Sequence, residues 1–169
     1  MTLGYVGWGA WATMGLVMAW FFVMRFAQRS IWQMAIINLP GTAAHELAHF
    51  LVGALLLAKP QSFSLTPHRQ EGGWQLGSVK FTGLNILTAA PVAYAPLLLA
   101  GIAWLMFNGW AVPAFHAARY LSWVISGYAI ASALYSCWPS STDVKLGGLS
   151  IILWVILSYG FWLLENYPR

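Results

Sequence analysis

His45, Glu46 and His49 stand in the run GTAAHELAHFLVGALLLAKP (residues 41–60), where most neighbours suit hydrocarbon. On a helix, positions i and i+4 lie one turn apart on the same face, so the two imidazoles can aim nitrogens at one ion with Glu46 beside it. Zinc suits this arrangement, because imidazole nitrogen ligates it at about 2.0 Å and a site with three protein ligands keeps its fourth position for water. The ion lowers the pKa of that water towards about 7, and a neighbouring carboxylate can take the proton and pass it to a leaving amine. That is the chemistry of peptide hydrolysis. With only four histidines and four acidic residues among 169, the H-E-x-x-H spacing is a specific signal. A charge at mid-membrane costs about 2.5–3.5 kcal/mol on insertion scales, which argues for a function. The plainer alternative is a set of polar side chains bonding neighbouring helices without a metal.

Two imidazoles and a water leave such an ion one protein ligand short. Of the remaining acids, Glu71 falls in a turn-like stretch and Glu165 sits beside a membrane boundary, which leaves Asp143 in PSSTDVKLGG. Ser140-x-x-Asp143 also has capping-box spacing, so Asp143 is expected either to complete the ligand set or to cap the last helix. His68 and His116 are rival ligands, each in a connecting segment that suits a solvated or interfacial histidine. The expectation is one zinc per chain on His45, His49 and Asp143, with Glu46 as acid and base.

The elements that must position these residues follow from composition. Of the 169 residues 60% are hydrophobic and 7% charged, against roughly a quarter charged in a soluble domain, so the chain is expected to be an integral membrane protein. Eleven Trp and seven Tyr fit that class, since such rings gather at the headgroup level. The eight basic residues are scattered and form no patch for nucleic acid, and Cys137, alone, cannot make an internal disulfide. The first apolar run has no basic residue before it and outlasts a signal-peptide core, so it is read as a retained span.

A spanning helix needs about 20 apolar residues. Cutting at charges and turn-formers gives five: about 3–24, 31–58, 84–107, 117–138 and 149–164. The expected fold is all-α and polytopic, one domain over 1–169, with about five transmembrane helices and a short β-hairpin between the second and third. Pro40-Gly41 is expected to break or kink the second span, and a break would start the catalytic helix near Thr42. In KPQSFSLTPHRQEGGWQLGSVKFTG (59–83), near-alternate apolar residues flank PHRQEGG, which reads as a hairpin with Gly77 shifting the alternation, or else as an irregular surface loop. Lys59, Arg69, Lys80 and Lys145 fall on one face and Arg25, Arg29, Arg119 and Arg169 on the other, so charge bias sets no orientation.

HELAHFLVGALLLAKPQSFSL, followed by the hairpin-like segment, AAPVAYAP and a late WPSSTD, resembles the site-2 protease group of intramembrane zinc metalloproteases over about 31–148. In that group a late Asn-x-x-Pro and Asp-Gly supply the third zinc ligand. Pro139 and Asp143 correspond, Val144 replaces the Gly, and no Asn precedes the Pro, so a substrate-holding Asn is not implied here. The resemblance implies a minimal catalytic core without PDZ or CBS-type domains. It further implies a bacterial inner-membrane setting, a single-pass regulatory substrate such as an anti-sigma factor, and a cytosolic N-terminus and hairpin.

A helical substrate must be unwound before cleavage, and its freed backbone groups need new partners in lipid. An exposed strand edge provides them by taking the substrate as an extra strand. The edge carrying Trp74, Leu76, Val79 and Phe81, or that of residues 63–66, is expected to hold it, and Asn85 and Thr88 could bond the substrate or the backbone groups that Pro91 and Pro96 free. A non-catalytic protein using the same zinc structurally or as a sensor remains the alternative. A transporter would need paired broken helices in two similar halves, and no repeat is visible.

Overall fold

The computed structural model describes residues 3–26, 30–70 and 73–166. Arg29, Glu71 and Arg169 lie outside these residues. The chain is mostly helical, in the order α1 (Leu3–Phe26), α2 (Ile31–Leu55), β1 (Pro60–Ser64), β2 (His68–Gln70), β3 (Gly73–Gln75), β4 (Ser78–Phe81), α3 (Ala89–Ala93), α4 (Leu98–Met106), α5 (Val112–His116), α6 (Tyr120–Ser136) and α7 (Ser141–Asn166). A 3-10 turn (Ala95–Leu97) leads into α4, and a π turn (Phe107–Ala111) joins α4 to α5. Among the described residues three helical runs are long and apolar enough to cross a membrane, Gly7–Phe26, Ala95–His116 and Ser141–Asn166, which marks a membrane protein.

The core lies around α6, which packs against α1, α2 and α4. Its buried apolar residues are mostly small: Ala103, Ala111, Ala131 and Ala133 surround Ile130, with Val17, Met24 and Leu99. Small side chains let helix backbones approach closely, which replaces the hydrophobic driving force that lipid removes. The large side chains point outward, Trp8, Trp11, Trp104, Leu121 and Leu164 among them.

Pro40 does not break α2. The helix runs through it unbroken. A proline inside a helix loosens the hydrogen-bond ladder of the turn before it, and the Tyr128 hydroxyl donates to the Ile37 carbonyl in that turn at 2.7 Å. Gly41 serves packing: a Cβ there would meet Ser136 Oγ and stand 2.6 Å from the Ser132 carbonyl.

Two other boundaries differ from expectation. The third apolar run spans 95–116, not 84–107, because Pro91 and Pro96 split its start into α3 and the 3-10 turn, while Asn108-Gly109 is absorbed without a break. The last helix begins at Ser141, not near 149, because Ser140 and Asp143 cap it and Gly147 faces Ala93 and Tyr94 as a packing contact.

The hairpin forms in two pieces. β1 pairs antiparallel with β4, and β2 with β3. Partner numbers sum to 142 at Ser64↔Ser78 and to 143 at His68↔Gln75, so residues 65–67 oppose only 76–77. The extra residue therefore lies on the arm opposite Gly77, and a further irregularity falls between Pro60 and Ser62.

Candidate metal centre

His45 and His49 project from one face of α2, and Asp143 from the first turn of α7. His45 Nδ1 lies 2.7 Å from the Ser136 carbonyl and His49 Nδ1 lies 2.8 Å from the Val92 carbonyl. A carbonyl only accepts, so each Nδ1 carries the proton and each Nε2 presents a lone pair. Both carbonyls are free for local reasons. The helical partner of the Val92 carbonyl would be the N–H of residue 96, which is Pro96. Ser136 ends α6, just ahead of Pro139, so its carbonyl is one of the four a helix C-terminus leaves over.

Ser140 and Asp143 form a reciprocal cap. The Ser140 N–H donates to Asp143 Oδ2 at 2.7 Å, and the Asp143 N–H donates to Ser140 Oγ at 3.2 Å. The two alternatives weighed for Asp143 are thus compatible, since the cap holds the carboxylate against the histidines.

The two Nε2 atoms are 3.1 Å apart; His49 Nε2 is 3.3 Å from Asp143 Oδ1 and His45 Nε2 is 3.5 Å from Asp143 Oδ2. With both imidazoles neutral, four acceptor atoms converge with no donor between them, an arrangement that calls for a positive charge at its centre, a metal ion or a proton. Tetrahedral zinc with bonds of about 2.0–2.1 Å sets its ligand atoms roughly 3.3 Å apart, and the observed spacings bracket that value. Metal-ligating histidines also usually donate their other ring N–H to a carbonyl or carboxylate, as both do here. The donor set therefore fits a metal ion.

Glu46 is 6% exposed and lines the same cavity of about 450 Å³ as the triad. Gly77 abuts it: a Cβ on Gly77 would stand 2.7 Å from Glu46 Cγ and 2.9 Å from Oε1. Trp74, Leu76, Val79 and Phe81 all line this cavity, whereas residues 60–66 do not. Asn85 is not among its walls. It is exposed, and its Oδ1 accepts the N–H groups of Leu87 and Thr88 at 2.9 and 3.0 Å, a local turn bond. Of the rival ligands, the His68 backbone pairs with Gln75 in the β2–β3 ladder, and His116 is exposed at the end of α5. Among the described residues, the one His/Cys/Asp/Glu group able to hold an ion is His45, His49 and Asp143.

Sequence reasoning missed the Val92 and Ser136 carbonyls, the closeness of Gly77 to Glu46, and Asn38 and Gln75, which also line the cavity. Pro96 and Pro139 were the signal for the two carbonyls, because each removes or displaces a helical donor. Comparison with protein-family models, with curated proteins and with solved structures returns no match to this chain.

Proposed function

We propose that the chain is a zinc-dependent intramembrane endopeptidase of the site-2 protease kind, cleaving a membrane-embedded segment of another protein. The observation that carries the reading is the convergence of two Nε2 lone pairs and the Asp143 carboxylate at 3.1–3.5 Å beside a buried Glu46. His45, His49 and Asp143 would hold the ion. When bound, zinc supplies a Lewis acid and a nucleophile usable at neutral pH. The Ser136 and Val92 carbonyls fix the imidazole orientations, and the capping bonds from Ser140 fix the carboxylate. Glu46 takes the proton of the attacking water and returns it to the leaving amine. Gly77 holds the strand arm against Glu46, so a segment lying along Trp74 to Phe81 passes the carboxylate in extended form.

The proposed topology has five spans, adding α2 and α6 to the three most apolar runs. α2 is 25 residues, about 37 Å, and falls short in hydropathy because Asn38, Thr42, His45, Glu46 and His49 ride on it. α6 has 17 residues and rises about 26 Å, at the short end of the range for a spanning helix. The setting proposed is a bacterial inner membrane and the substrate a single-pass protein.

The test is a Glu46→Gln variant purified beside the wild type and mixed with transmembrane peptide substrates. The endopeptidase reading expects unchanged metal content and cleavage reduced by at least about 10²-fold. Equal behaviour of the two proteins in every functional assay would favour the structural or sensor role for the same ion.

A further inference from the structure

Two buried side-chain oxygens in the cavity have no hydrogen-bond partner, Asn38 Oδ1 and Gln75 Oε1. Asn38 is 2% exposed. Its Nδ2 donates to the Met34 carbonyl at 2.9 Å, which fixes which end of the amide is oxygen and turns that oxygen away from the bond. Gln75 closes β3, two residues before the Gly77 that touches Glu46. One acceptor thus comes from the helix that carries the histidines and the other from the strand arm, and both residues line the cavity that holds the triad.

Buried acceptors without donors are unfavourable and rare, so two in one cavity point to a ligand that brings donors. A polypeptide unwound in lipid has the complementary need, since every residue carries an N–H that has lost its helical acceptor. We propose that Asn38 and Gln75 form an acceptor pair that binds backbone N–H groups of an extended polypeptide a few residues from the scissile bond. The proposal rests on the endopeptidase reading for what the peptide is doing there, and on the two orphaned oxygens for where it binds. Asn38 precedes Glu46 by two turns, a rise of about 12 Å. An extended chain covers that in about four residues. The aliphatic and aromatic walls, Leu76, Val79, Phe81 and Val92, suit apolar side chains, so the pair would supply register while the walls supply affinity.

The experiment uses the full-length protein in detergent micelles and a fluorophore-labelled, acetylated octapeptide of alternating leucine and alanine, with binding read by anisotropy against micelles alone. Each backbone N–H is replaced in turn by an ester oxygen. The expected result is that one or two ester positions lower wild-type affinity about tenfold, and that these losses vanish in Asn38→Leu or Gln75→Met. Both variants are checked for wild-type elution and thermal midpoint, and a wild-type scan with no sensitive position is decisive without them. The proposal is overturned by a wild type that does not bind the octapeptide, by a scan with no sensitive position, or by losses that are the same in wild type and both variants. Cleavage measured alongside separates the two readings. Ester-sensitive binding without cleavage keeps the acceptor pair and removes the endopeptidase; cleavage with ester-insensitive binding does the reverse.

Discussion

At the scale of single residues, the centre depends on groups that no motif names. Each imidazole is oriented by a backbone carbonyl that a proline or a helix end has released, and the carboxylate is oriented by the cap it makes with Ser140. Gly77 is the position where a Cβ would bear on Glu46. The atoms a Cβ would meet there belong to Glu46, a flexible side chain, so Gly77→Ala should fold and keep its metal while displacing the carboxylate. We expect kcat to fall on the order of 10- to 100-fold with metal content unchanged. A variant with wild-type kcat would mean that Glu46 does not need its present position. The candidate ligands were legible in the sequence because His45, His49 and Asp143 are rare side chains in an apolar chain, and Glu46 because it sits beside them. Gly77 was read only as a strand irregularity, since a missing Cβ says nothing about what fills its place. Asn85 was read as a bonding group for freed backbone or for substrate, and its Oδ1 accepts backbone N–H groups of its own turn.

At the scale of elements, the boundaries were legible where a charge or a cap marks them and not where Pro and Gly serve packing. α1 ends beside Arg25, as expected. Pro40-Gly41 was read as a break or a kink, and the helix continues through it, with Tyr128 meeting the loosened turn and Gly41 against α6. The last apolar run was read from about residue 149, but the Ser140–Asp143 cap starts its helix at Ser141. Gly41→Ala therefore has a directional consequence. Its Cβ would press on the Ser132 carbonyl and Ser136 Oγ, backbone and short side chain that cannot swing away, so α2 and α6 must separate. We expect a loss of about 1–3 kcal/mol in stability. Because the Ser136 carbonyl orients His45, zinc affinity should also weaken by about 10- to 100-fold. A thermal-shift measurement with a zinc titration checks both, and a loss of stability without a loss of affinity would uncouple the helix contact from the centre.

At the scale of the whole molecule, composition made the membrane class plain, while the number of crossings turns on α2 and α6. α2 carries polar side chains along its length and α6 has only 17 residues, which sets both apart from the three long apolar runs. If α2 crosses, Phe26 and Lys59 lie on opposite sides of the membrane. In a Cys137→Ser background, Phe26→Cys and Lys59→Cys should react with a membrane-impermeant thiol reagent from opposite sides of oriented vesicles. Labelling from the same side would remove α2 from the set of spans. The fold as a whole is also what closes the centre, since its ligands come from α2 and α7 and their supports from α3 and α6. A bound ion should therefore stabilise the folded state as well as equip it for chemistry. The most direct measurement is elemental analysis of the purified protein beside its His45→Ala and Asp143→Ala variants. We predict about one zinc per chain in the wild type and a small fraction of that in either variant. A wild type that takes up no metal, or an Asp143→Ala protein that keeps its full equivalent, would contradict the three-ligand centre.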